Sequence, residues 1–311
     1  MSSINTNFAA VTALQNLQMT SKEMLTTQNR ISTGFKVATA EDNAAYWSIA
    51  TTMRSDNKAL STVQDALGLG KATVNVAYTA LNTSIDVTSE IKAKLVAARE
   101  PGVDRTKIQT EIKELQNQLK SVADSGSFSG QNWLSVDSSA ASYNATKSVV
   151  SSFTRDAAGA VSVGTISIDT SKTKLYDAST AAAGILDATR DTTGAIATTG
   201  TSLASMDIST LTDSATDLAT LDAYIKGSDA AIKEMTSSAT SLGAEKQRIS
   251  LQSDFVSALK SAISEGVGQL VDADMNEEST RLQALQVKQQ LGVQALSMAN
   301  QSSQNILSLF R

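Results

Sequence analysis

Residues 46–95 carry the most regular hydrophobic pattern of the chain: YWSIATTMRSDNKALSTVQDALGLGKATVNVAYTALNTSIDVTSEIKAKL. Apolar side chains recur every seven residues, and a second apolar series follows three residues behind the first. The first series comprises Tyr46, Met53, Leu60, Leu67, Val74, Leu81, Thr88 and Leu95, and the second contains Ile49, Val63, Ala77 and Ile91. Such a repeat is typical of a coiled coil. It predicts one long helix over residues 43–98, which Pro101 and Gly102 end.

The same spacing continues toward the N-terminus. Leu17, Met24 and Ile31 lie seven residues apart within residues 1–33, which we predict to be helical. Gly34 supplies the break that follows. A stripe this narrow suits a seam with another helix better than burial in a globule.

Further helices are predicted toward the C-terminus. Asp104 is placed to cap a third helix, because its carboxylate can accept hydrogen bonds from the free amides of a first turn. Heptads return between Leu211 and Leu270. These repeats predict a mainly α fold. The N- and C-terminal halves would form a long coiled-coil helical rod, with a small β-containing insert in the middle.

The insert differs in composition from the helices around it. Ser, Thr, Ala and Gly dominate residues 125–205, and the heptads stop there. Residues 148–154 and 160–169 are rich in Val, Ile and Ser and predict two strands, which residues 155–159 can join as a hairpin. Residues 178–205 contain few large apolar side chains, so we assign them no regular structure.

The C-terminal end is unusually apolar for a free end. Residues 272–311 finish on a cluster of four large apolar side chains, although termini usually fray into water. Burying four such side chains is worth roughly 6–12 kcal/mol, so we expect other elements, including other copies of the chain, to cover them. A tail that is frayed in the monomer and orders on assembly is the alternative. The predicted contact shell comprises Ile4, Phe8, Val11, Leu17, Met24, Ile31, Leu285, Leu296, Ile306, Leu307, Leu309 and Phe310.

Composition excludes several classes of protein. The 311 residues include no cysteine and no histidine, and the net charge is −5. The chain therefore has no disulfide, thiolate nucleophile or imidazole base, and no zinc site built on Cys or His. An enzyme would have to rely on carboxylates alone, and we see no convergent pair. We predict no catalytic, cofactor-binding or metal site. A negative charge without a basic block argues against a nucleic-acid partner.

Two further features bear on ligands and location. Asp272, Asp274, Glu277 and Glu278 form a local acidic cluster. A calcium site is conceivable there, but the glycine of an EF-hand loop is missing, so a solvated helix start is the favoured interpretation. The N-terminus lacks the basic start and apolar run of a secretory signal, and no stretch is apolar enough to span a membrane. We expect a cytosolic protein, or one exported without a cleaved signal.

Several motifs near the two ends occur together. The N-terminal part contains Arg30-Ile-Ser-Thr-Gly34, Ala40-Glu-Asp-Asn-Ala-Ala45, and Phe128-Ser-Gly130 before Leu134. The C-terminal part contains Asp272-Ala-Asp274, Ala299-Asn300-Gln301 and a closing Gln304-Asn-Ile-Leu-Ser-Leu-Phe-Arg311. These motifs resemble the signatures of bacterial flagellins, over about residues 1–140 and 225–311, and the pattern is similar to that of α-proteobacteria such as the rhizobia. The signature positions are Arg30, Gly34, Asp42, Asn43, Asp272, Asp274, Asn300 and Gln301.

The resemblance implies a structural subunit of the flagellar filament that serves swimming motility. It implies a terminal coiled-coil polymerisation domain (residues 1–40 with 271–311), a helical rod domain (41–140 with 205–270) and a variable surface-exposed region (141–204). The implied partners are copies of itself and other flagellins, the flagellar export apparatus, an export chaperone, the filament cap and hook-associated proteins. Export would be through the flagellar type III apparatus, unfolded, to the extracellular filament. A hook–filament junction protein, or another secreted coiled-coil protein, is the alternative.

One departure from the family concerns recognition by animal cells. Flagellins sensed by the toll-like flagellin receptor carry a Gln-Arg pair in the second long helix. Aligned from Ala80-Leu-Asn82, that pair falls on Ser89 and Glu90. Reversing the charge at a guanidinium contact is unfavourable. We therefore predict weak activation of this receptor in a cell reporter assay.

Overall fold

Five α-helices dominate the part of the chain that the structure describes. The computed structural model describes residues 7–179 and 184–308, and side chains as far as Gln301. The helices are α1 (Phe8–Thr33), α2 (Ala44–Ala97), α3 (Arg105–Ser125), α4 (Ala215–Val271) and α5 (Met275–Ser308). The predicted mainly α class is confirmed. None of the described helices is long and apolar enough to cross a membrane.

Polar caps and glycine set the helix ends, as the sequence predicts. The Asp104 carboxylate accepts hydrogen bonds from the amides of Thr106 and Lys107 at the start of α3. Gly34 ends α1 with a φ of 77°, in the left-handed region that glycine adopts without strain. Asn7 caps the other end of α1, because its side-chain oxygen accepts a hydrogen bond from the Ala10 amide.

The chain divides into two compact units. The first contains the residues up to Lys58 and those from Lys260 onward, and the second contains Ala59–Leu259. In the first unit, a small core forms where the segment after α1 meets the start of α2 and the end of α4. Its buried members are Val37, Ala50, Val267 and Val271.

In the second unit, α2 and α4 run antiparallel. Lys92 Nζ lies 2.6 Å from Asp229 Oδ1, and Lys71 Nζ donates to Ser250 Oγ at 3.1 Å. The predicted heptad positions face inward on both helices. Those buried include Leu60, Val63, Leu67, Val74, Ala77, Leu81, Ile91 and Leu95 on α2, and Met235, Leu242, Ile249 and Val256 on α4.

The first heptad positions of α2 differ from the rest. Tyr46, Ile49 and Met53 continue the spacing of the buried series but are exposed in the first unit. The predicted helix is present over its whole length, but its first heptad and a half is exposed within the described part of the subunit. Periodicity identifies the apolar face of a helix, but it does not say which molecule covers that face.

The insert contains short strands and one long hairpin. The strands are β1 (Ser127–Phe128), β2 (Gln131–Asn132), β3 (Ser135–Val136), β4 (Thr146–Arg155), β5 (Val161–Asp169) and β6 (Tyr176–Asp177). β1 pairs with β2 and β4 with β5, both antiparallel, whereas β3 pairs with β6 in parallel. The β4–β5 pair confirms the predicted hairpin. Its face toward the helices packs on α2, where Val149 lies against Gly70.

Residues after β6 are irregular but well packed, which the sequence did not predict. Leu186, Leu203, Met206 and Ile208 are all buried. Helix α3 also holds this segment through its main chain, because Gln116 Nε2 donates to the carbonyls of Leu203 (2.9 Å) and Met206 (3.1 Å). Just before β6, Ser238 Oγ on α4 donates to the carbonyl of Lys172 at 2.5 Å.

Candidate functional site: the paired terminal helices

Helices α1 and α5 pack along each other in antiparallel orientation. Asn7 Nδ2 donates to the carbonyl of Ala299 at 2.9 Å, near one end of the pair. In the middle, a carbon added at Gly292 would lie 2.9 Å from Leu17 Cδ1. At the other end, Arg30 Nη1 lies 3.0 Å from Glu278 Oε1. Residue numbers rise along α1 as they fall along α5, so the two ends of the chain form one two-helix element.

The facing residues follow coiled-coil spacing. On both helices most of the buried and half-buried positions alternate by three and four residues, as in knobs-into-holes packing. We call these positions the seam. The seam of α1 comprises Ala10, Ala13, Leu17, Thr20, Met24, Thr27 and Ile31, and that of α5 comprises Glu278, Leu282, Leu285, Gln289, Gly292, Leu296 and Ala299.

Polar and small residues interrupt the apolar part of the seam. Thr20 and Thr27 take heptad positions on α1, and Gln289 and Gly292 take them on α5. Each occupies a position at which coiled coils usually have Leu or Ile. The apolar area buried between α1 and α5 is therefore smaller than in a Leu-rich coiled coil. The seam therefore fixes which helices pair, but it does not by itself make a strongly stable element.

A charged pair closes one end of the seam. Glu278 is only 5% exposed, and its Oε1 lies 3.0 Å from Arg30 Nη1 and 3.8 Å from Arg281 Nη1. Within the described residues, Glu278 Oε2 and Arg30 Nε have no hydrogen-bond partner. A buried ion pair contributes little net stability, but removing one partner leaves an uncompensated charge. This pair therefore favours one alignment of α1 against α5.

Outside the seam, both helices expose large apolar side chains. On α5, Val287, Leu291 and Met298 are more than half exposed and lie on the side of the helix away from α1. We call these three the outer row. Their spacing of four and seven residues is visible in the sequence, but the predicted contact shell follows the seam residues of α5 and includes none of the three. On α1, the exposed apolar residues are Phe8, Val11, Leu14, Met19 and Leu25.

The structure separates the predicted contact shell into two groups. Leu17, Met24, Ile31, Leu285 and Leu296 lie in the seam within one subunit. Phe8 and Val11 lie outside it and are exposed. Ile306 and Leu307 belong to α5 but lie beyond the described side chains, and Ile4, Leu309 and Phe310 lie outside the described residues.

The signature residues after α1 shape the turn that leads into α2. Asp42 Oδ2 accepts hydrogen bonds from the amides of Ala38 and Thr39, both at 3.0 Å. The hydrogen bond from the Thr39 amide, together with those from the Ala38 amide and the Thr39 hydroxyl, lowers the pKa of Asp42, although burial alone would raise it. Asn43 Oδ1 accepts from the Tyr46 amide at 3.1 Å and so caps α2.

The C-terminal signature residues have comparable roles. The Gly34 carbonyl accepts from the Ala273 amide at 2.9 Å, and Phe35 forms an isolated antiparallel bridge with Asp272. Asp274 caps α5, because its Oδ1 accepts from the Asn276 amide at 2.8 Å. Asn300 and Gln301 are exposed near the end of α5. Asp274 thus caps a helix, and Glu278 forms an ion pair in the seam. Among the described residues, no group of three or more Asp, Glu, His or Cys side chains is placed to hold a metal ion.

Comparison with known proteins identifies the family. A family model for the bacterial flagellin N-terminal helical region matches residues 4–140, and one for the C-terminal helical region matches residues 225–310. The chain belongs to the bacterial flagellin family. It is 53% identical to flagellin C of Rhizobium meliloti (strain 1021) over 323 residues, and 44% identical to flagellin A of the same strain over 396 residues. It is also 44% identical to flagellin of Brucella melitensis biotype 1 over 312 residues. Each alignment covers the whole of both chains.

Membership of the family establishes the role of the protein. This flagellin is a structural subunit of the bacterial flagellar filament, which is extracellular, and its copies polymerise with one another. The predicted family and function are confirmed, as is the likeness to the rhizobial proteins. Ser89 and Glu90 are exposed on α2, and weak activation of the animal receptor stays a prediction.

Proposed function

We propose that copies of this flagellin join through the surfaces of α1 and α5 that lie outside the seam. The outer row of α5 carries this proposal: Val287, Leu291 and Met298 are large, apolar and more than half exposed. Burying one such side chain contributes about 1.5–3 kcal/mol. A row of three on each of many neighbours is therefore a substantial driving force for association.

The proposal divides the work between two faces of the same helices. Seam residues hold α1 to α5 within a subunit, while Phe8 and Val11, with the outer row, contact other copies. Ile4, Ile306, Leu307, Leu309 and Phe310 belong to the proposed contact shell because of their apolar character in the sequence. Contacts between unlike surfaces that do not close into a ring extend without limit, which is how one subunit type builds an open filament.

Further parts of the proposal rest on the family and the composition. We propose residues 1–40 with 271–311 as the polymerisation domain, 41–140 with 205–270 as the rod domain, and 141–204 as the variable outer region. Export through the flagellar type III apparatus, with a chaperone, the filament cap and hook-associated proteins as partners, is supported by the family likeness. The lack of cysteine suits passage as an unfolded chain. A structural role without enzymatic activity is supported by the lack of histidine and cysteine.

Seeded polymerisation of purified full-length protein tests the proposal. Leu291→Gln should raise the critical concentration for filament growth about ten-fold, with little effect on thermal unfolding of the monomer, because residue 291 is exposed there. Ile196→Gln is the matched control: Ile196 is 59% exposed against 57% for Leu291, and it lies in the insert. The control should polymerise like wild type. Equal critical concentrations for Leu291→Gln and wild type would reject the outer row as a contact.

A further inference from the structure

A cleft lies between the segment after β6 and helix α4, within the second unit. It encloses about 350 Å³, a volume typical of small-molecule sites. Its most buried lining residues are apolar: Leu203 and Met206 are 4% and 2% exposed, and the half-buried Tyr224 of α4 lies beside them. Its outer lining carries hydroxyl groups, which belong to Thr192, Thr199, Thr201 and Thr220. The cleft therefore combines an apolar floor with a polar rim.

The wall of the cleft opposite α4 is a closed loop, residues 190–201. The Arg190 amide donates to the Thr201 carbonyl at 3.2 Å, and the Thr201 amide donates to the Arg190 carbonyl at 3.3 Å. The loop rests directly on α4, because a carbon added at Gly194 would lie 2.8 Å from the carbonyl oxygen of Lys226. The wall is thus preformed, which lowers the entropic cost of binding a ligand.

A buried hydrogen-bond donor lines the cleft without a partner. Arg190 is 5% exposed, and its two terminal nitrogens contact Glu234, but its Nε has no hydrogen-bond partner within the described residues. The adjacent Cδ lies beside Gly227, another lining residue, since a carbon added there would lie 3.5 Å from it. A buried donor without a partner is costly and calls for an explanation. A ligand that accepts a hydrogen bond would supply one.

An unused acceptor belongs to the next residue. Asp191 also lines the cleft. Its Oδ1 accepts hydrogen bonds from the Thr193 amide, the Thr193 hydroxyl and the Ala195 amide, at 2.8, 2.6 and 3.1 Å. Its Oδ2 accepts none among the described residues. The lining thus offers one free donor and one free acceptor on neighbouring residues.

The charges of the cleft favour a neutral ligand. Glu234 offsets the charge of Arg190, with contacts at 3.1 and 2.8 Å. The other charged residue in the lining is Asp191, whose carboxylate repels anions. A single carboxylate at a solvent-exposed rim attracts a cation only weakly. The ligand should therefore carry both donors and acceptors but no net charge.

We propose that this cleft binds a small neutral polyol of the size of a monosaccharide. Hydroxyl groups donate and accept, so one hydroxyl of the ligand can donate to Asp191 Oδ2 while another accepts from Arg190 Nε. The C–H face of a sugar ring can pack on Tyr224 and the apolar floor. This inference goes beyond the proposed function, because it concerns a ligand of the single subunit. Its test uses monomers and does not depend on polymerisation.

Methyl NMR of the full-length monomer, labelled with ¹³C at the methionine methyl groups, tests the proposal. Of the eight methionines, Met206 lines the cleft, and Met206→Leu assigns its resonance. We expect D-galactose or D-glucose to shift this resonance in a saturable way, with a Kd of about 1–10 mM. Met235, which is fully buried on α4, is the internal control and should not respond. An unmoved Met206 resonance at about 100 mM of each sugar would overturn the proposal.

A pair of matched variants locates the site. Asp191→Asn keeps an acceptor for the Thr193 amide but replaces the free Oδ2, so the Kd should rise about ten-fold. Asp207→Asn is the control, because Asp207 Oδ1 likewise accepts from an amide two residues on, that of Ser209 at 2.8 Å. Asp207 does not line the cleft, so its Kd should stay within about two-fold of wild type. Thermal unfolding should match wild type in both variants. Equal affinities of wild type and Asp191→Asn would reject the site.

Charged probes test the chemical class of the ligand. Putrescine and acetate, at the same concentrations, represent a cation and an anion small enough to enter the cleft. We expect neither to shift the Met206 resonance as the sugars do. A saturable shift with either of them, and none with the sugars, would overturn the assignment of a neutral polyol.

Discussion

Gly70 on α2 lies directly against Val149 on β4: a carbon added at residue 70 would lie 2.5 Å from Val149 Cγ1 and 2.8 Å from Cγ2. Both methyl carbons belong to a β-branched side chain that cannot rotate away cheaply. The hairpin is also tied to α4, because Gln252 Nε2 donates to the carbonyl of Ser151 at 3.0 Å. The missing side chain at residue 70 is thus what allows the hairpin to approach α2.

We expect Gly70→Ala to lower the free energy of unfolding by about 1–2 kcal/mol, because the cost of overpacking exceeds the gain in helix propensity. Gly68→Ala is the matched control on the same helix. A carbon at residue 68 meets nothing within 4 Å, so this variant should gain up to about 1 kcal/mol. Urea unfolding followed by circular dichroism measures both. Equal gains from the two substitutions would contradict the close approach.

For the ion pair at the end of the seam, we expect that removing one partner costs more stability than removing both. Arg30→Met should destabilise the subunit by about 2–3 kcal/mol, because the buried Glu278 would keep only the more distant Arg281 as a partner. The loss is below that of a fully buried pair, since Arg30 is partly exposed. Arg30→Met with Glu278→Leu should recover most of the loss. Arg281→Met is the control and should cost less than about 0.5 kcal/mol, because Arg281 is half exposed and more distant. Thermal unfolding measures all three, and an uncorrected loss in the double variant would contradict this account.

A buried carboxylate in the insert predicts the dependence of stability on pH. Burial alone would raise the pKa of Asp177, but hydrogen bonds outweigh it and hold the pKa well below its usual range. The Ser138 and Ser179 amides donate to its Oδ1 at 2.9 and 3.1 Å, and Lys174 Nζ lies 2.9 Å from its Oδ2. A pKa that is lower in the folded than in the unfolded state stabilises the protein above the unfolded value of about 4. This stabilisation is lost as the pH falls below that value.

Asp177→Asn should therefore reduce stability at neutral pH and flatten the decline of stability below about pH 4. Asp187→Asn provides the control of opposite sign. Burial raises the pKa of Asp187, so the wild-type residue becomes less destabilising as the pH falls through that raised value. In Asp187→Asn, stability should fall with decreasing pH at least as steeply as in the wild type. Urea midpoints between pH 3 and 7 measure both variants, and an unchanged acid decline in Asp177→Asn would exclude this carboxylate as its source.

Two arginine–carboxylate pairs of the second unit should contribute very differently to the free energy of unfolding. Arg190 is buried, and its two terminal nitrogens contact the Glu234 carboxylate at 3.1 and 2.8 Å and donate to the carbonyls of Gly194 and Ile185. Arg190→Met should cost about 3 kcal/mol. It should also speed hydrogen exchange in the segment after β6.

The control for Arg190 is a pair of similar geometry at the surface. Arg99 contacts both carboxylate oxygens of Asp222, at 2.5 and 3.0 Å, but both side chains are exposed. Arg99→Met should cost less than about 1 kcal/mol, because water screens the pair. Comparable losses in the two variants, measured by urea unfolding, would show that burial of Arg190 does not matter.

The sequence predicted those features of the fold that periodicity expresses. Burial of Leu60 through Leu95 follows from the seven-residue repeat, and the β4–β5 hairpin follows from two Val- and Ile-rich runs around a short turn. Whether the apolar face of a helix is covered within the subunit could not be predicted from the repeat. Tyr46 and Leu60 have the same register in the sequence, yet only Leu60 is buried within the subunit.

Features without a repeat were missed for a physical reason. The segment after β6 is fixed by bonds such as that from Gln116 to the Leu203 carbonyl, and a main-chain acceptor leaves no trace in the sequence. Glu278 is similar: its burial depends on the alignment with Arg30, a residue 248 positions away. The polar residues of the seam therefore appear in the sequence as ordinary surface residues.

The way in which the helices hold the insert has a consequence for its evolution. Gln116 on α3 and Ser238 on α4 donate to main-chain carbonyls of the residues between the helices, and every amino acid supplies a carbonyl. The exposed side chains of these residues can therefore be exchanged without loss of the hydrogen bonds to their carbonyls. Mutation can therefore change the chemistry of the insert's exposed surface while the helices that hold the insert stay the same.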